Sequence, residues 1–307
     1  MNLNRSRRAS STSLWLAPAV LWTTALSLVP TLFVLIHAFL APRFDAALGR
    51  SRLRWVGLEN FRRFFTDDQL VHSVFWTVAI ALAAVVLEVV LGLVLALLAW
   101  QTTGRFGRLA RGTLLAPMFM APVAVAYLAT TVFAQDVGLL NGLAVRLAGA
   151  DPEALIAWRS DPFWASIAVL CVEVWQWTPF CFAVLLAALA TQPEELYEAA
   201  VIDGAGSAAT LRHVTLPLLR PALLSVTLLR LVESLKIFDV PYGLTRGGPG
   251  TATQSYSMWI KEIGLTRYDM GLASAMGLML LVVLAATGTV AAFVVRRMAG
   301  SERSGKR

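Results

Sequence analysis

The sequence predicts an all-α polytopic membrane protein with six transmembrane helices. Three observations carry this expectation. Hydrophobic residues make up 57% of the 307-residue chain, and its mean hydropathy is +0.67. Several apolar runs exceed the ~20 residues that a helix needs to cross a bilayer. The ~10-residue alternating strands of a membrane barrel do not occur.

Six spans follow from the hydropathy, over residues 14–40, 73–100, 113–134, 163–190, 220–241 and 271–295. They make a single transmembrane domain, 14–295, between an N-terminal tail, 1–13, and a C-terminal tail, 296–307. The linkers are too short for a soluble domain, and no internal repeat or low-complexity tract is present. Arg5 to Arg8 ahead of the first apolar run imitate a secretory leader. That run is about twice the length of a leader's apolar core and has no small-residue cleavage site, so it is read as a retained first span. Lys and Arg number 13 on the side of the two tails and 11 on the other. The tails and the short 101–112 turn lean towards both termini in the cytoplasm, and the arginine-rich 41–72 linker leans the other way.

Composition also excludes several function classes. The net charge is +7, but the basic residues lie beside spans rather than on a soluble domain, so no nucleic-acid partner is expected. Cys171 and Cys181 share one apolar run; ten residues of helix separate them by ~15 Å, too far for a disulfide. They lack the spacing of a metal site, and His37, His72 and His213 are dispersed. No phosphate-binding G-x-x-x-x-G-K-[ST] motif is present. The chain is therefore not expected to be an enzyme: it offers no catalytic residue, metal site or cofactor, and any ATP hydrolysis belongs to another chain.

Four segments stand out. In the polar 191–219 loop, Pro193-Glu194-Glu195 starts a short helix, Glu198 to Ile202 continues it and Gly204 ends it. Small residues around Gly204, Ala205 and Gly206 allow a partner surface to come close, and Glu198 and Asp203 suit a basic groove. The plainer reading is an amphipathic connecting helix. At the outer end of span five, Phe238-Asp239, Tyr242 and Leu244-Thr245-Arg246-Gly247-Gly248-Pro249-Gly250 read as a rigid glycine-rich turn. Within span five, Arg230, Glu233, Lys236 and Asp239 recur every third residue with alternating sign. Such charges are costly in lipid and should face protein or water. They form either a self-satisfied ion-pair ladder or a polar lining. Span four carries Glu173, Trp175, Gln176, Trp177, Pro179 and Phe180, where aromatic faces and an amide suit a sugar's mixed surface. Glu88 stands alone in span two and reads as structural.

The loop sequence Glu198-Ala199-Ala200, then Asp203-Gly204-Ala205, then Leu216-Pro217 and Pro221 resembles the EAA loop of the inner-membrane permease subunits of bacterial ABC importers. Leu211 stands where that family often has Phe. The Phe238–Gly250 segment with Thr253 resembles the F-D-x-x-Y-x-L-T-x-G-G-P segment of carbohydrate-importer permeases of the maltose and glycerol-phosphate type. Val56-Gly57-Leu58-Glu59-Asn60-Phe61 and Leu272-Ala273-Ser274-Ala275 fit the same family. The resemblance thus covers nearly the whole chain.

It implies a type I ABC importer permease fold, placed as a multi-pass protein in the bacterial inner membrane with both termini cytoplasmic. The loop would then be a coupling helix on the ATPase, through Glu198, Ala199, Ala200, Asp203, Gly204 and Ala205. Gln176, Trp177, Phe180, Glu233 and Lys236 would line the substrate path. Glu233 and Lys236 take the places of neutral amides in the maltose-type member. The implied partners are a second related permease forming a heterodimer, two cytoplasmic ATP-binding subunits, an extracytoplasmic solute-binding protein, a carbohydrate and the lipid bilayer. Two rivals are an ion-coupled secondary transporter, which would carry inverted repeats, and a non-transporting membrane scaffold.

Overall fold

The computed structural model describes residues 3–45, 50–102, 104–136, 138–148 and 155–304. The ends of both expected tails, residues 1–2 and 305–307, lie outside them. In chain order the helices are α1 (Leu3–His37), α2 (Glu59–Thr66), α3 (Asp68–Trp100), α4 (Gly104–Leu115), α5 (Pro122–Val132), α6 (Leu139–Ala148), α7 (Pro162–Ala190), α8 (Glu194–Ile202), α9 (Ser207–Thr210), α10 (Leu216–Ser234), α11 (Asp239–Leu244), α12 (Tyr256–Lys261) and α13 (Met270–Ser304). An antiparallel hairpin, β1 (Leu40–Asp45) and β2 (Arg50–Trp55), follows α1.

Five helical stretches among the described residues are long and apolar enough to cross a membrane: Leu16–His37, Asp68–Trp100, Pro162–Ala190, Ser207–Ser234 and Met270–Val290. A sixth crossing needs two helices, Gly107–Phe119 and Pro122–Val132, which meet at 98°. The third span, drawn as one helix over 113–134, is therefore bent. Pro117 and Pro122 donate no backbone hydrogen bond, and the residue before a proline is pushed towards extended backbone. Met120 and Ala121 are extended, and Pro122 sits in the first turn of the new helix. The fifth span, drawn to residue 241, also ends early. After Ser234 the last turn tightens, with the Lys236 and Ile237 amides donating to the Glu233 and Ser234 carbonyls. A new short helix then begins at Asp239.

The chain divides into two compact units. In the first, Met1–Asp67 with Ile260–Leu281, the chain turn after α1 is pinned by Asn60. Its buried amide donates to the Ala38 and Leu40 carbonyls, both at 2.9 Å. Arg63 pairs with Asp269 at 2.7 Å. Within Val56–Phe61, Asn60 thus has a structural role.

The second unit, Asp68–Trp259 with Val282–Arg307, is built on α3 against α7. Lipid tails are as apolar as leucine, so close packing rather than water exclusion holds such helices together, and small residues favour it. Ala81, Ala84 and Ala96 on α3 and Ala165 and Ala168 on α7 are fully buried. α7 starts cleanly: the Asp161 carboxylate accepts from the Phe163 and Trp164 amides at 2.9 and 3.0 Å, with Pro162 following it. Above and below the small residues lie two apolar clusters, one around Trp76, Phe133 and Val172, the other around Phe182, Leu185 and Leu219.

Gly92 marks a close approach of α3 to α7. A Cβ there would stand 2.6 Å from the Cys181 Cβ and 2.9 Å from the Phe182 amide nitrogen. Gly92→Ala should therefore destabilise the folded protein by about 1–3 kcal/mol through overpacking. Gly112→Ala, which meets nothing within 4 Å, should be neutral or mildly stabilising. Thermal unfolding of both purified variants in detergent checks the contrast; equal melting temperatures would refute it.

Candidate functional site

Three helices of the second unit each bring one charged side chain to a common point. Glu88 comes from α3, Glu173 from α7 and Arg230 from α10. Arg230 Nε donates to Glu88 Oε2 at 2.7 Å, and Nη2 donates to Glu88 Oε1 at 3.0 Å and to Glu173 Oε1 at 3.1 Å. Nη2 also reaches Ser234 Oγ, one turn along α10, at 3.1 Å. Arg230 is 2% exposed and Glu88 0%. The planar guanidinium suits this fork-to-fork pairing, which a lysine would not reproduce. Its carbon also lies 4.6 Å from the centre of the Trp177 ring, one turn along α7 from Glu173, in cation–π range.

Beside this clamp lies a cavity of about 190 Å³. Glu173, Arg230, Glu233, Lys236 and Asp239 supply its charged lining, and Trp177 and Phe238 its aromatic rings. The early end of α10 makes this possible. Glu233 stands in the last turn, Lys236 in the tightened turn beyond and Asp239 on α11, so the three spread around the cavity instead of drifting around one helix. The four-residue row is accordingly not a ladder. Arg230 pairs with Glu88 and Glu173 of other helices, while Lys236 Nζ and Glu233 Oε1 pair with each other at 2.9 Å and are half-exposed. Glu88, read from sequence as alone, is the partner that fixes Arg230.

Of the residues expected on the substrate path, Trp177, Glu233 and Lys236 meet at this cavity and Gln176 and Phe180 do not line it. Gln176 is buried and its Nε2 donates to the Met120 carbonyl at 3.1 Å, inside the bend between α4 and α5. Phe180 packs on the Phe182 and Leu185 cluster. Glu173, Arg230 and Asp239 join the lining instead. A larger groove of about 780 Å³ is lined by apolar residues such as Leu87, Leu91 and Trp175 and holds no charged group. Among the described residues no group of three or more His, Cys, Asp or Glu side chains could hold a metal.

The expected coupling residues lie on α8 and the turn after it. Glu194 and Glu195 in the first turn complement the helix dipole. At the far end the Ala205 amide donates to the Ala200 carbonyl at 2.9 Å and the Gly204 amide to the Val201 carbonyl at 3.0 Å. This is a Schellman cap, and Gly204 supplies its left-handed residue at φ 73°. Ala200 faces inward; Glu198, Ala199, Asp203 and Gly204 are exposed and Ala205 is half-buried. Val201 and Ile202 are 74% and 85% exposed, a small apolar patch at the tip. Tyr197 was not singled out in the sequence. Its ring lies 5.1 Å from that of Trp100, the last residue of α3, and its hydroxyl bonds Gln192 and Thr215. Arg111 closes the same end of α3: its Nη2 donates to the Ala99 and Thr102 carbonyls at 2.7 and 2.6 Å. An aromatic inside a polar loop was the one available signal for Tyr197.

The glycine-rich turn after α11 is closed by its threonines. Thr253, fully buried, shares a 2.7 Å hydrogen bond with Thr245 and donates to the Gly248 carbonyl at 2.7 Å. Thr245, Gly248 and Thr253, all quoted in the motif, make the hydrogen bonds that close the turn.

Comparison with known proteins adds the following. Residues 88–300 match the family described as binding-protein-dependent transport system inner membrane component. The chain is 35% identical over 217 residues to the trehalose/maltose transport system permease protein MalF of Thermococcus litoralis, covering 71% of this chain and 70% of that one. It is 31% identical over 272 residues to the sulfoquinovosyl glycerol transport system permease protein SmoG of Agrobacterium fabrum, covering 87% and 84%. In three dimensions it superposes with a TM-score of 0.82 on a chain of a bacterial ABC transporter involved in the import of the acidic polysaccharide alginate. That match covers 96% of this chain and 98% of the other at 21% identity, and it shows a shared fold.

Removing one partner of a buried ion pair leaves an uncompensated charge, at a cost of about 3–5 kcal/mol. Arg230→Met should therefore sharply reduce folded yield and melting temperature. Changing all three members together, Glu88→Leu, Glu173→Leu and Arg230→Met, should recover much of the loss. A triple variant no more stable than Arg230→Met would show that the clamp is not what the single change breaks.

Proposed function

The chain belongs to the family of binding-protein-dependent transport system inner membrane components, and on that premise we propose that it is one of two related transmembrane subunits of an ATP-driven carbohydrate importer. It is a multi-pass membrane protein; in this reading its six spans place both termini in the cytoplasm. Two cytoplasmic subunits bind and hydrolyse ATP. An extracytoplasmic protein delivers the solute. The chain itself supplies the path and responds to the ATPase.

The observation that carries the reading is α8. It is short, closed by a Schellman cap at its C-terminal end, and presents Glu198, Val201 and Ile202 outward. Such a surface suits a groove on a partner, and an outward apolar tip suits burial there. ATP-driven closure of the ATPase pair would move α8, the spans would rock, and the cavity would open outward to receive solute. Hydrolysis would return it to the inward state. A carbohydrate fits the names of the similar permeases, which handle trehalose, maltose and sulfoquinovosyl glycerol. It also fits a cavity that sets an indole face beside charged hydrogen-bonding groups. Glu233 and Lys236 give the solute a carboxylate and an ammonium to meet.

Ile202→Asp tests the coupling role without touching the core. The variant should reach the membrane in normal amount, while uptake and transport-linked ATP hydrolysis both fall at least about tenfold, the loss of ~1.4 kcal/mol or more of docking energy. Uptake that persists without any ATPase would favour the ion-coupled alternative. Glu233→Gln keeps shape and removes charge, so uptake of a panel of labelled glycosides per assembled complex should fall or change its order of preference. An unchanged panel for this variant would remove Glu233 from the path. For topology, a reporter at Ala208 should read cytoplasmic and one at Leu147 extracytoplasmic; the reverse pattern would defeat both the orientation and the coupling helix.

A further inference from the structure

We propose that Tyr197 is the positioning residue through which a movement of α8 is passed to the helix pair α3 and α10; the inference rests on the coupling role of α8 given above. The geometry points to it from both sides. On α8, Ala200 is buried and Tyr197 half-buried while Glu198, Val201 and Ile202 are exposed, so Tyr197 is the large side chain through which α8 meets the rest of its own unit. Its ring meets Trp100 at the end of α3. Its hydroxyl bonds Thr215, the residue immediately before α10. One side chain thus touches the end of one helix and the start of the other.

Those two helices are also joined further along, by Glu88 near the middle of α3 and Arg230 near the far end of α10. Along α3, Glu88 and Trp100 are ~18 Å apart, and Thr215 and Arg230 are ~22 Å apart along the continuous helical stretch into α10, at 1.5 Å per residue. α3 and α10 are therefore fixed to each other at two levels. A push on α8 changes their separation at one level, and the clamp at the other level must turn or shift with it. The clamp shares Glu173, Trp177 and Arg230 with the cavity lining. Helix shifts of only 1–2 Å are enough for switching of this kind. Arg111, which donates to the Ala99 carbonyl of α3 and the Thr102 carbonyl just beyond it, stiffens the end on which Tyr197 bears.

The Tyr197 contacts are also replaceable one at a time. Tyr197→Phe keeps the ring against Trp100 and drops both hydroxyl bonds. Tyr197→Ala drops the ring as well. Neither touches the clamp or the outward face of α8.

The test measures the joint directly in the assembled transporter in lipid nanodiscs. Cys171, which is exposed, is first replaced by serine, and spin labels are placed at Leu98→Cys on α3 and Leu218→Cys on α10, both exposed positions. The probe is a non-hydrolysable ATP analogue with magnesium. In the labelled parent it should shift the distance distribution between the labels. Tyr197→Ala should abolish that shift and Tyr197→Phe should retain part of it, with ATPase subunits still bound and nucleotide affinity within about twofold, under ~0.4 kcal/mol. A merely structural tyrosine would lower yield but leave the shift intact in the complexes that assemble. If Tyr197→Ala does not assemble, Trp100→Ala and Thr215→Val remove the same contacts from the other side and carry the same expectation. A parental shift that survives in all of these variants overturns the proposal. No shift in the parent itself, with ATPase bound, overturns the coupling reading beneath it.

Discussion

The second unit depends on one buried cation. Arg230 is held by two carboxylates from two other helices, and without it α3, α7 and α10 would meet around two unpaired acids. Ionised groups are expensive away from water, so the three helices can associate only in the arrangement that brings these groups into register. The two oxygens of Glu88 meet Nε and Nη2, which sets the rotation of α10 about its axis as well as its distance from α3. Dispersion between small residues then closes the rest of the α3–α7 seam. The clamp selects the geometry and the packing fills it.

The same residue also explains why the cavity is where it is. A guanidinium that spends its hydrogen bonds on Glu88, Glu173 and Ser234 has its face free for Trp177. Both the indole and Glu173 are thereby held at the cavity wall without any loop to position them. The wall's other charges come from a helix end, where the backbone changes direction between Ser234 and Asp239 and lets consecutive side chains point to one space. Rigid helices supply one side of the cavity and a chain turn supplies the other.

Most of the membrane helices were legible in the sequence because lipid imposes a single rule, a continuous apolar run with its backbone bonds made internally. The interruptions were not. Pro18, Pro30 and Pro179 lie within continuous helices, whereas Pro117 and Pro122 flank a break; a proline's presence does not say which, since neighbouring groups decide whether the freed carbonyls are satisfied. Here the Gln176 amide, 56 residues away, takes the Met120 carbonyl. The site divides in the same way. Glu233 and Lys236 are three residues apart, so their pairing is local and readable. Glu88 and Arg230 are separated by 142 residues, and no spacing rule joins them. Tyr197 was hidden for a related reason: its partners Trp100 and Thr215 belong to two distant helix ends. Gln176 and Phe180 followed from their neighbours on α7, yet Gln176 bonds the Met120 carbonyl and Phe180 packs on the apolar cluster around Phe182 and Leu185.

The bend between α4 and α5 has a consequence for how the chain reaches its bilayer. α5 has 11 residues, a length of ~16 Å, against a hydrocarbon thickness of ~30 Å. No insertion machinery that weighs each segment alone would recognise it as a full crossing. The Met120 carbonyl just ahead of it accepts from Gln176 of α7, a helix synthesised later. The bend gains that bond only once α7 packs against it. A later helix thus completes an earlier one, and the shape of this short crossing depends on α7.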